Sequence, residues 1–217
     1  MRISKLLIVI GVALTATGCK TSVESEVKLS ELLNGPTRSI SSNLYVEVAG
    51  CSDHKDSRVP SSSLIQVREL VPTIFSGSEF VECFRKEFDS FARFTVPVTL
   101  AKNTGGQLAS PDQINLISDE NILLAVSVPK ALTAKIKAAR AKASAPSLDM
   151  KIAVKVVNDS GKDFPFTALA SYVDEQPAVF DQFTSQKDRA FTVRLSDVSV
   201  SAAINQGKAP VLALPLP

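Results

Sequence analysis

Residues 76–91 read SGSEFVECFRKEFDSF, and the conformation of this stretch sets the architecture expected for the whole chain. Ser76, Gly77, Ser78 and Glu79 have the composition of a capping box, in which a hydroxyl and a carboxylate satisfy the free N–H groups of a first helical turn. At 100° per residue, Phe80, Phe84, Phe88 and Phe91 fall on one face, and Glu82, Arg85, Lys86 and Asp89 on the opposite one. The spacing predicts an amphipathic helix over 79–91, with Cys83 on the flank of the Phe stripe. Glu87 falls near that apolar face and calls for a partner.

Strands are expected on both sides of this helix. Alternating residues mark strands at 44–48 and 94–100, and further strands follow at 114–117 and 122–128, after a turn at Gly105-Gly106. Pro129 suits the first position of a helix over 130–143, lined on one side by Leu132, Ile136, Ala139 and Ala143. Residues 148–157 alternate, with Met150, Ile152, Val154 and Val156 on one face. The turn NDSG at 158–161 predicts that 164–173 returns as its hairpin partner. A strand at 190–195 follows, and VLALPLP at 211–217 reads as an edge strand blunted by Pro215 and Pro217.

Val27-Lys28-Leu29-Ser30-Glu31 resembles Val193-Arg194-Leu195-Ser196-Asp197. Each reads as a strand running into a short serine-capped helix, followed by a glycine at 35 or 207. The fold class expected from these elements is α+β: a mainly antiparallel sheet with the Phe-rich helix on one face and one or two further helices.

The N-terminus sets the cellular address. Arg2 and Lys5 precede an apolar run at 6–14, nine residues where a bilayer-crossing helix needs about 20. Ala16, Thr17 and Gly18 are small, and Cys19 follows them, as at the cleavage site of a secretory signal. The stretch LTATGCK at 14–20 resembles the lipobox of bacterial lipoproteins, with Ala16 where leucine is commonest; the other reading is an ordinary signal peptide that happens to contain a cysteine. The resemblance implies a signal peptide at 1–18, lipidation of Cys19, a short polar tether through residue 28, and one domain over 29–217. Lys20 after the cysteine implies sorting to the outer membrane, facing the periplasm. Each buried methylene contributes about 0.8 kcal/mol, so three acyl chains form a lasting anchor.

Without Arg2 and Lys5, 22 basic residues face 22 acidic ones, so the processed chain is formally neutral. That leaves no global basic field for nucleic acid. With Cys19 assigned to lipid, Cys51 and Cys83 remain as a pair, and an oxidising compartment favours a disulfide between them over a free thiol pair or a metal site.

Motifs for chemistry are sparse. His54, in CSDHKDSR, lies near Asp53 and Asp56 without a second histidine, which fits a solvated turn better than a metal site. The chain has no Gly-x-Ser-x-Gly elbow, Walker A or dinucleotide fingerprint. The carboxylate pairs Asp119-Glu120 and Asp174-Glu175 lie in turn-like segments. Lys130, Lys135, Lys137, Arg140 and Lys142 give the helix at 130–143 five cations and no acid. They form either a solvated face or a contact for anionic lipid or lipopolysaccharide.

A domain behind a lipobox with one cysteine pair and no catalytic motif resembles uncharacterised lipoproteins of bacterial genomes, some carried by phages and prophages. The expected function is a non-enzymatic binding module on the envelope membrane. Its partners are the membrane itself and an envelope protein, one form being interference with an outer-membrane receptor, and no cofactor is expected. The alternative is a lipid or small-ligand carrier with an apolar groove between the Phe helix and the sheet.

Overall fold

In the computed structural model, which describes residues 19–102, 110–143 and 148–215, the first described residue already lies in a strand. The elements run β1 (Cys19–Lys28), α1 (Leu29–Asn34), β2 (Arg38–Val48), α2 (Ser62–Ile74), β3 (Glu79–Lys86), β4 (Asp89–Lys102), β5 (Ile114–Ser118) and β6 (Ile122–Ser127). They continue as α3 (Lys130–Ala143), β7 (Leu148–Val157), β8 (Phe164–Val173), β9 (Gln176–Ser185), β10 (Ala190–Leu195), α4 (Asp197–Asn205) and β11 (Ala209–Ala213). Nine strands close a barrel in the order β10-β7-β1-β2-β4-β5-β6-β11-β8, with β8 returning to β10. The expected α+β sheet with a helix on its face is thereby overturned. Among the described residues the protein is mostly β, with four short helices.

The Phe stretch is where the expectation fails. Residues 79–91 form a hairpin in which Phe80 pairs with Phe94, Cys83 with Ala92, Phe84 with Phe91 and Lys86 with Asp89. A bulge between Phe80 and Glu82 shifts the alternation, so Phe80 and Phe84, four residues apart, fall on opposite faces of the strand. The stripe is thus divided. Phe80 packs edge-on to the fully buried Phe94, ring centroids 5.5 Å apart, whereas Phe84 sits beside Phe91 and Tyr45 on the other face. Glu87 and Phe88 make the turn, with Glu87 at φ 56°. Strand β4 decides the contest, because its alternating Ala92, Phe94, Val96, Val98 and Leu100 are all buried and offer β3 a ready template.

Inside the barrel, Val23, Leu44, Phe94, Leu116, Ile152 and Val193 are essentially without solvent contact. Outward positions of β1 and β7 carry Lys20, Glu24, Glu26, Lys151 and Lys155. An apolar interior with a charged exterior is the reverse of a membrane-spanning barrel.

Seven of the nine ring contacts are antiparallel and two, β1–β7 and β4–β5, are parallel. An odd number of reversals does not close a ring of straight strands. The mismatch is taken up in β8, one edge of which pairs with β11 at Thr167 and Ala168 and with β10 from Ser171 to Val173. Between them Ala170 adopts φ 42° and is skipped in the pairing with β9, and its carbonyl accepts a hydrogen bond from Ser199 Oγ at 2.7 Å. Helix α4 thus supports the seam.

Helix α1 closes one end of the barrel, packing on β1, β4, β5 and β6. The Ser30 N–H and hydroxyl both donate to Asp159 there, and Glu31 accepts from the Lys28 N–H. Gly35 is required after it, since a Cβ would lie 2.5 Å from the Glu31 carbonyl oxygen. At the other end α2 contacts α3, and α3 contacts α4. The two matched motifs do run from strand into short helix, as α1 and α4; Ser196 caps α4 through the Ser199 N–H, but the expected cap Ser30 lies inside α1, where Lys28 holds the N-cap position.

Three further expectations are corrected. Residues 20–28 are no tether: β1 is an inner strand between β2 and β7, and Thr21, Val23, Ser25 and Val27 are buried. Residues 148–157 and 164–173 do not pair, because β10 lies between them. Strand β11 is no edge, being held between β6 and β8. Residues 1–18, the turn at Gly105-Gly106 and the segment 144–147 lie outside the described residues.

Candidate functional site

The end of the barrel at which the first strand begins gathers most of the residues singled out in the sequence. Cys19 pairs with Leu148 of β7, so the body of the fold starts at the cysteine itself. The Lys20 N–H donates to Glu47 Oε2 at 3.0 Å, and Lys20 Nζ meets Asp89 Oδ2 at 2.8 Å. Those contacts fasten the start of β1 to the end of β2 and to the turn of the β3–β4 hairpin.

Cys51 and Cys83 are bonded, with Cα atoms 5.6 Å apart. The bond joins the exit of β2 to β3, not to a helix, and encloses all of α2. The segment 64–75 reads as no element in the sequence, because Pro72 withholds an N–H from its last turn. Ser61 begins the helix by accepting from the Leu64 N–H at 3.1 Å.

Helix α3 presents Lys130 and Lys137 to solvent, while Lys135 Nζ reaches Ser76 Oγ at 3.4 Å. Leu132, Ile136 and Ala139 are buried on the opposite side, as their spacing requires. The side chains of Cys19, Arg140 and Lys142 lie outside the described residues. The helix ends at Ala143.

The carboxylates considered for chemistry hold turns. Asp53 accepts from the Lys55 N–H, and Asp56 accepts three hydrogen bonds from Arg58, which keep its carboxyl below the usual carboxylate range. His54 is 81% exposed beside Asp53. Asp119 caps the β5–β6 turn. Burial pushes its carboxyl up, but the Ile122 and Asn121 N–H groups and Lys208 outweigh that and hold it low. Asp174 and Glu175, at φ 45° and 68°, form the tight β8–β9 turn, and Asp174 accepts from the Thr192 N–H.

Sequence reasoning missed a surface feature. Among the described residues, strand β9 pairs only with β8, leaving its other edge free, and its Val179 and Phe180 are 82% and 66% exposed. The alternation in QPAVFDQFTS is weak, and the turn before it lacks glycine, so no standard hairpin signal marks it. Phe88 was equally hidden, because the helical stripe assigns to the core a side chain that is 90% exposed.

One family model, described as a domain of unknown function (DUF7424), matches residues 21–217. The chain belongs to that family, whose domain coincides with the barrel and its appended strands. No curated protein and no solved structure matches the chain.

Proposed function

We propose that this DUF7424 member is a lipid-anchored, non-enzymatic interaction module of the bacterial cell envelope, held through Cys19 and contacting an envelope protein through β9. The observation that carries this reading is the free edge of β9, with Val179 and Phe180 exposed on it. A solvent-exposed strand edge with large apolar side chains is a template for pairing, and isolated soluble proteins blunt such edges with charge, proline or a covering loop. Pro177 lies near the start of β9 and Asp181 accepts from the Val179 N–H at 2.9 Å, yet the Val179 and Phe180 side chains remain exposed to solvent. Interference with an outer-membrane receptor is one form such a contact takes.

The carrier alternative loses its premise. Its groove lay between a Phe helix and a sheet, whereas those phenylalanines belong to a hairpin and the barrel interior is filled with apolar side chains.

Two measurements test the proposal. Cys19→Ser should abolish labelling by a palmitate analogue and move the protein from the membrane to the soluble fraction; persistent labelling rejects the anchor. A photo-crosslinking residue at position 180 in intact cells should trap a discrete partner band, and Val179→Lys in the same protein should remove it. Absence of a specific adduct at 180 rejects β9 as the contact surface.

A further inference from the structure

From the way the barrel begins, we infer that its Cys19 end docks directly on the bilayer, with Phe88 inserted among the lipid headgroups. The inference rests on Cys19 carrying the lipid, and adds to that reading an orientation and a second point of membrane contact.

The geometry follows from register. Thr21 of β1 pairs with Val46 of β2, which places Cys19 level with Val48, and Val48 pairs with Ser90 of β4. Phe88 stands two residues beyond Ser90, at the tip of the β3–β4 hairpin. At about 3.3 Å per residue, the tip projects roughly 7 Å past Cys19, and two strand spacings separate them laterally by about 10 Å. Acyl chains attached at Cys19 put the bilayer surface at the level of that residue. No flexible linker lifts the barrel away, because β1 is paired to β7 from Cys19 onward. The hairpin tip therefore enters the interface, the outer 5–10 Å that apolar side chains of surface-bound proteins occupy.

The chemistry at the tip fits. Phe88 is the most exposed large apolar side chain among the described residues, at 90%. Its neighbour Asp89 is neutralised by Lys20. Arg85 and Lys86 lie on β3 behind it, and Glu87 beside it offsets one of their charges. The contact is apolar in character rather than driven by net charge, so it is nearly insensitive to salt, unlike an electrostatic contact through the α3 lysines. An exposed phenylalanine at a strained two-residue turn adds nothing to the barrel core, and the bilayer gives it an occupation.

The chain contains no tryptophan, so Phe88→Trp supplies a single fluorescent reporter at the tip, and Phe180→Trp one on β9. Each full-length, lipidated variant is reconstituted into phosphatidylethanolamine–phosphatidylglycerol vesicles, with and without brominated acyl chains. Flotation establishes anchoring. The Phe88→Trp protein should show blue-shifted emission that loses most of its intensity with brominated lipid, to the same extent at low and high salt. The Phe180→Trp protein should keep its intensity. A floating Phe88→Trp protein with unquenched emission overturns the docking inference and leaves the anchor standing, with Phe88 then assigned to a protein contact. A protein that fails to float overturns the anchor, and the docking inference with it.

Discussion

Removing the Cys51–Cys83 bond perturbs the fold where α2 and β3 are attached, and its cost is calculable. The bonded residues are 32 apart in sequence. The loop-entropy relation for a closed loop of that length gives about 4 kcal/mol at room temperature, through restriction of the unfolded chain. The enclosed segment is also fastened by native contacts, with Leu64, Val71 and Phe75 buried in the core. Among the described residues strand β3 pairs on one edge, with β4, and the exit loop is held by the Ser52–Pro60 bridge and the Ser61 N–H donating to the Cys51 carbonyl. These contacts act in the folded state, whereas the crosslink restricts the unfolded chain, so they do not substitute for it. In a soluble Cys19→Ser background, Cys51→Ser with Cys83→Ser should lose about 3–4 kcal/mol of stability, measured by urea denaturation followed by circular dichroism. For a domain of this size, each kcal/mol lowers Tm by about 2–4 °C, so the midpoint should fall by roughly 8–15 °C. The urea m-value should rise, because the uncrosslinked denatured chain exposes more surface. A loss below about 1 kcal/mol with an unchanged m-value would refute the reasoning, since it would mean that the unfolded chain is not held by this loop.

Other consequences are more local. Ser199→Ala removes the donor to the Ala170 carbonyl at the barrel seam, and should cost about 1–3 kcal/mol in urea denaturation. The Asp159 carboxyl is pushed up by burial, but the Ser30 hydroxyl and N–H outweigh this and hold it below the usual range. A depressed carboxylate stabilises the fold above its unfolded pKa and loses that contribution as pH falls through its folded value. Asp159→Asn should therefore cost about 1 kcal/mol at pH 7, as for the loss of a helix cap, with wild type and variant converging at acid pH in parallel urea titrations. If α3 meets anionic lipid, reversing Lys130, Lys135 and Lys137 to Glu in the Cys19→Ser protein should weaken binding to phosphatidylglycerol vesicles roughly tenfold or more at low salt. The difference should shrink at high salt, and equal binding in a co-sedimentation assay assigns the lysines to solvent.

Local chemistry was legible residue by residue. The remaining cysteine pair, the strands around Phe94, Leu116, Val126 and Ile152, the α3 stripe and the Ser196 cap all depend on neighbours close in sequence or on simple periodicity. Such patterns persist whatever the topology. The carboxylate pairs in turns were recognisable for the same reason, since an Asp side chain satisfies nearby N–H groups without distant partners. Helix α2 escaped because Pro72 interrupts its pattern.

The architecture was decided elsewhere. Phenylalanines at 80, 84, 88 and 91 suit a helix by spacing, but the hairpin divides them between two strands, two faces and a turn. Only the buried face of β4, contributed by a later stretch of chain, selects the strand. The parallel partner of β1 arrives more than a hundred residues later as β7, turning what reads as a polar tether into an inner barrel strand. The exposure of Phe88, Val179 and Phe180 has the same origin. Whether a side chain is core or surface depends on which edge its strand offers to the ring, and ring closure is long-range pairing to which no local window has access.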